Sequence, residues 1–178
     1  GKVVAPAGVA GSTATLPTVD DAAIENSETA VLTVGGVAAT GTILDNDVQS
    51  VGAVLAEDAA HTGANPVDST VVEGGMLRYT VSLNAASPTP TEYAVTLGGT
   101  ATGADRGLLV FSDNVAWKNG DASTGIIVVP AGVTSFYASL PTVDDALVEN
   151  AETVVLTVGG VAATRTLPHN DRQSVTGV

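Results

Sequence analysis

The chain has 178 residues and a mass of 17.5 kDa, enough for one full domain, or one domain and part of another, but not for a large multidomain enzyme. Ala, Gly, Val and Thr dominate, and one Trp, three Tyr and two Phe leave any core to small β-branched and Ala side chains, a composition suited to regular β-structure. Nineteen acids against six bases give a formal charge of -13, which repels nucleic acid and anionic membranes and makes cations the natural partners.

With no Cys, neither a disulfide framework nor a thiolate zinc site is available, and two His, His61 and His169, are too few for a typical imidazole site. Metals bound by hard oxygen ligands remain open. Apolar runs such as 125–130 fall far short of the roughly 20 residues that span a bilayer, so a soluble chain is expected, without membrane insertion. The chain begins at Gly1 with no charged-then-apolar leader, which reads as a processed form or a fragment.

In chain order, residues 1–54 match residues 125–178 at a spacing of 124, with 35 of 54 positions identical. LPTVDDAAIENSETAVLTVGGVAATGTILDNDVQSV stands against LPTVDDALVENAETVVLTVGGVAATRTLPHNDRQSV. Such identity indicates a tandem repeat of about 124 residues. Residues 1–48 read as the C-terminal half of a preceding repeat and 49–178 as a complete unit. A half-unit cannot bury its apolar face alone. It must pack on the complete unit, or complete an unpaired half of another chain and so build a polymer.

Within the unit, Met76–Leu83, 91–97, 125–130, 135–141, 153–160 and 161–167 alternate apolar and polar residues between Gly, Pro, Asn or Asp punctuation, and read as strands. Gly159-Gly160 is a two-residue hairpin signal, repeated at Gly35-Gly36. Residues 107–120 read as an insertion with an extra strand and a loop carrying Trp117, placed over the sandwich as a packing residue. About seven short strands describe an all-β, immunoglobulin-like antiparallel β-sandwich, with a small barrel as the alternative.

The acids are clustered. Asp144, Asp145, Glu149 and Glu152 share one loop and strand start, and Asp20, Asp21, Glu25 and Glu28 repeat them. Glu73 (VVEGG), Asp105 (GTATGAD), Asp171 (HND), and Asp45 and Asp47 (LDND) fall where other loops should meet that end, so 13 of the 19 acids belong to these positions. Crowded carboxylates raise one another's pKa unless a cation neutralises them. Ca2+, which takes six to eight oxygens at about 2.3–2.6 Å, suits such a set better than Mg2+. The plainer reading is an acidic loop that keeps the chain in solution.

The order V-x-E-G, G-T-A-x-G-x-D, P-x-x-D-D-x-x-x-E-x-x-E-T and L-D-N-D resembles the Calx-β domain, the calcium-binding sandwich of sodium–calcium exchangers that also recurs in large bacterial surface adhesins. The resemblance covers the unit except residues 107–120. It implies Ca2+ ligands at Glu73, Asp105, Asp144, Asp145, Glu149, Glu152 and Asp171. The complete unit departs from it at His169, which stands where an acid is expected and should weaken the site. The half-unit keeps Asp45 but lacks its own first-strand Glu and turn Asp.

No nucleophile-and-base arrangement is present in the motifs, the aromatics are too few for a sugar cleft, and the Gly-rich GGTATGAD lacks a phosphate-loop Lys, so no enzymatic activity is expected. Three functional readings follow. The first is a non-enzymatic calcium-binding structural repeat of a secreted adhesin, extracellular or at the cell surface, whose partners are neighbouring repeats and whose ions stiffen an extended array. The second is a self-assembling filament or matrix subunit joined by strand exchange between repeats. The third is a carbohydrate-binding module.

Overall fold

A computed structural model describes residues 3–58 and 71–172; His61 and the repeat match at 173–178 lie outside the described residues. No described segment is helical. The chain divides into two compact units, Gly1–Asp47 and Val48–Val178.

The first unit holds one hairpin, β1 (Glu28–Val34) and β2 (Val37–Ile43), paired from Glu28↔Ile43 to Val34↔Val37. Its turn, Gly35-Gly36, has φ of +59° and +84°. Positive φ at both central residues makes this the type I′ geometry whose twist matches the flanking strands, and only residues without a Cβ adopt it freely.

Among the described residues, the second unit is an antiparallel sandwich of nine strands. They are β3 (Val51–Asp58), β4 (Met76–Leu83), β5 (Thr91–Gly99), β6 (Val110–Phe111), β7 (Ala116–Gly120), β8 (Thr124–Val129), β9 (Ser135–Pro141), β10 (Glu152–Val158) and β11 (Val161–Leu167). One sheet runs β3-β4-β9-β6 and the other β11-β10-β5-β8-β7. The triples β3-β4-β9 and β11-β10-β5 reproduce the two central sheets of an immunoglobulin-like sandwich, while β8 and β7 widen the second sheet. Two separate sheets replace the barrel alternative.

Alternation dictates the core. Leu77, Tyr79 and Val81 of β4, Phe136, Ala138 and Leu140 of β9, and Val154, Leu156 and Val158 of β10 all point inward and are fully buried. Tyr79 crosses the core to donate to the Val154 carbonyl at 3.2 Å, and burial pushes its phenol well above the ordinary value. Arg165 of β11 is also buried, and its Nη1 donates to the Ala56 carbonyl of β3 at 3.2 Å, tying the two sheets together at one edge.

Residues 107–120 differ from the sequence expectation. They supply two strands to different sheets, and Trp117 lies on β7 instead of on a loop. A register shift between Trp117 and Asn119 lets the strand bend while Trp117 packs edge-on against Phe111 at 5.2 Å, with Phe111 in turn on Phe136.

The start of the second unit is clamped. The Gln49 amide donates to the Ala85 and Val133 carbonyls at 2.8 and 3.0 Å and accepts from the Tyr93 hydroxyl at 3.3 Å. Ser50 N–H bonds the Asn84 side chain, whose own amide holds the Val48 carbonyl.

Candidate metal centre

Three loops of the complete unit are laced together at one end. Thr142 donates from its N–H and its hydroxyl to the Gly75 carbonyl at 2.9 and 3.0 Å, and Val143 N–H donates to the Asp105 carbonyl at 2.9 Å. Gly74, at φ +79°, makes the approach possible, since a Cβ there would lie 3.1 Å from the Asp144 Cβ. The acids at 73, 105 and 144–152 are therefore brought to one end by backbone bonding.

Glu73, His169 and Asp171 offer ligand atoms that all lie within 4.8 Å of one another. Glu73 Oε2 and Asp171 Oδ2 are buried with no hydrogen-bond partner, the condition in which a carboxylate oxygen most needs a cation or a proton. Asp105 accepts from the Thr102 hydroxyl and N–H, which holds its carboxyl below the usual range. Glu152 moves the other way, pushed up first by burial and then by the charges of Asp105 and Glu149, with smaller effects from a hydrogen bond to Asp105 and the charge of Glu73. Asp144, Asp145 and Glu149 stay exposed. Asp144 accepts from the Asn170 amide at 2.9 Å, and Asp145 from Leu147 N–H at 2.7 Å.

The first unit repeats this geometry 124 residues earlier. Asp20 accepts from the Asn46 amide at 3.1 Å, Asp21 from Ala23 N–H at 2.8 Å, and Asp45 from Glu25 N–H at 2.9 Å. The corresponding bond in the second copy runs from Glu149 N–H to His169 Nε2 at 3.2 Å. Asp20, Asp21, Glu25, Glu28, Asp45 and Asp47 line one cavity of about 50 Å³, room for a single ion or water. Burial first, then the charges of Asp45, Asp20 and Asp21, pushes the Asp47 carboxyl up, whereas N–H bonds from Glu25 and Asp47 hold Asp45 down.

The fit to a hard cation therefore differs between the copies. In the first, every acidic side chain lining the cavity offers an anionic oxygen, the donor set of Ca2+. In the second, Nε2 accepts from a backbone N–H, which places the proton of a neutral ring on Nδ1, 3.4 Å from Glu73 Oε1. His169 then presents a donor where Asp45 presents a carboxylate. A carboxylate at 169 would add an anionic oxygen beside those of Glu73 and Asp171, the acids whose oxygens lie within 4.8 Å of the imidazole. Sequence reasoning noted His169 as a departure but not as a member of the cluster, and it missed Asn46 and Asn170, whose preserved place in D/H-N-D was the available signal.

No protein-family model matches this chain, and no curated protein matches it. Among solved structures, the apo-form Calx CBD1 domain is similar at 21% identity over 66% of this chain and 98% of that one, with a TM-score of 0.39. A cohesin module from a Clostridium perfringens family 33 glycoside hydrolase aligns at 10% identity over 69% of this chain and 99% of its own, with a TM-score of 0.41. A Pseudomonas fluorescens alkylpurine DNA glycosylase bound to DNA with an abasic site analogue aligns at 10% identity over 67% of this chain and 30% of its own, with a TM-score of 0.32.

Proposed function

We propose that the protein is a non-enzymatic, calcium-binding structural repeat of a secreted cell-surface adhesin, in which ions stiffen an extended extracellular array. One observation carries the reading. The acidic loop closed by Asp45 and Asp47 ends a single residue, Val48, before Gln49, whose side chain is clamped into the next sandwich by three hydrogen bonds. An ion held by that loop removes freedom from the backbone joining one unit to the next. Its role is mechanical: carboxylates of one loop cluster are drawn together, and the joint loses conformational entropy before any load is applied. Calcium-rich fluid outside a cell supplies the ion, and the surplus of acids keeps such an array apart from anionic surfaces.

The test is thermal melting and small-angle scattering of the full chain with calcium and with chelator. Binding stabilises by RT ln(1 + [L]/Kd), about 2.7 kcal/mol at a hundredfold excess over Kd, so melting should rise by several degrees and the scattering profile should become that of a stiffer particle. Superimposable curves in the two buffers would leave only an acidic, soluble loop. Polymers visible by electron microscopy that persist in chelator would instead favour the filament reading.

A further inference from the structure

The two hairpins differ in a patterned way. ETAVLTV and VAATGTI of β1 and β2 depart from ETVVLTV and VAATRTL of β10 and β11 at three positions: Ala30 against Val154, Gly41 against Arg165, and Ile43 against Leu167. Val154, Arg165 and Leu167 are all buried, on the face that β10–β11 turns to the core. Every outward-facing position is unchanged. Two of the three differences are cross-strand partners, Ala30↔Gly41 in one hairpin and Val154↔Arg165 in the other.

We infer that the Val154–Arg165 pair is a specificity key, which keeps β10–β11 in its own sandwich and excludes the nearly identical β1–β2 hairpin of the same or another copy. Near-identical tandem segments invite strand exchange, because backbone pairing alone cannot tell them apart. Here, the register, the Gly-Gly turn and the outward face are the same in both hairpins, so only the inward face can discriminate. If β1–β2 entered the slot beside β5, Ala30 would stand where Val154 fills the core, leaving out two buried carbon atoms. Gly41 would stand where the buried Arg165 donates to the partly buried Ala56 carbonyl, and that acceptor would lose this charged donor. The first loss disfavours the exchanged state about tenfold, and the second about as much again. The Ile43–Leu167 difference conserves volume and discriminates little. This inference does not depend on ion binding, and it argues against strand exchange as the route to a filament.

The test converts the first hairpin to the second at the key positions, using the full-length chain. A Cβ at Gly41 meets no atom within 4 Å, so a side chain can leave the backbone there without a clash at its first carbon. T40R serves as the control, adding the same side chain to the outward face. Each protein is unfolded and refolded at high concentration, then examined by size-exclusion chromatography with light scattering for exchange between chains. Limited proteolysis then tests whether β10–β11 has been displaced within a monomer. Wild type and T40R should refold as monomers with β10–β11 protected. A30V/G41R should show at least tenfold more exchanged oligomer or displaced hairpin. The inference is overturned if A30V/G41R behaves as wild type, if T40R exchanges equally, or if wild type already exchanges.

Discussion

Hairpins β1–β2 and β10–β11 are nearly the same peptide in two surroundings. Their registers correspond pair by pair, and their Gly-Gly turns have φ of +59° and +84° against +55° and +86°. Yet Leu32 is 51% exposed where Leu156 is 0% exposed. A Cβ at Gly35 would meet nothing, whereas one at Gly159 would lie 2.7 Å from Val51 Cγ2. Local structure is therefore set by the shared residues, whereas among the described residues β10–β11 is packed within its own sandwich and β1–β2 leaves Leu32 half exposed. A lone two-stranded hairpin is marginal in water, so what holds the second copy is the sandwich around it.

The most forceful way to break that contrast is to truncate the same side chain in both. Leu156→Ala should cost about 2–5 kcal/mol, the range for a buried Leu whose cavity relaxes only in part. Leu32→Ala should change stability by no more than about 0.5 kcal/mol, as exposed substitutions do. Denaturant melts of the two variants decide it. Equal losses would mean that β1–β2 is buried against something in solution, and the distinction between the two hairpins would fall.

A smaller effect sharpens the contrast at the acidic ends. His169→Asp restores to the second copy the carboxylate that Asp45 supplies to the first, so calcium binding by the complete unit should tighten about tenfold, roughly 1.4 kcal/mol. Asp45→His should weaken the first site by a similar amount. Isothermal titration of both variants, read beside wild type, measures this. An unchanged His169→Asp titration would show that position 169 does not contribute to the ion's ligand set.

How much of this was legible follows from what each feature rests on. The strands β4 and β9 were readable because MLRYTVSL and SFYASLP place an apolar residue at every second position, and those residues are the buried ones. The strand β3 was not identified. A register shift between Val51 and Ala53 puts buried Val51 and Val54 out of phase with each other and breaks the two-residue period. β6, two residues long, has no period to read. At the acidic ends, the duplicated carboxylates announced themselves by type and spacing. The role of His169 did not, because it depends on which ring nitrogen accepts the Glu149 N–H, a matter of loop geometry. The Val154–Arg165 key was present in the alignment of the two copies but had no meaning until the ladder showed those residues face to face.

The subtlest expectation concerns protons at the complete unit's acidic end. Burial and the charges of Asp105 and Glu149 raise the folded-state pKa of Glu152 above its unfolded value. Between those two values the folded state binds more protons than the unfolded one, so stability must fall as pH rises through that window and recover on acidification. In chelator, the complete unit should therefore gain stability as the pH is lowered through the raised folded-state value of Glu152 toward its unfolded value, and Glu152→Gln should flatten that gain. Asp105, held low by Thr102, acts in the opposite sense only at more acidic pH, below its own unfolded value. With calcium present, the slope should shrink or reverse, because ion and proton compete for the same oxygens. Melting curves across this range, with and without chelator, read the sign directly. A chelated protein that loses stability on mild acidification would mean that Glu152 is already relieved of its neighbours' charge.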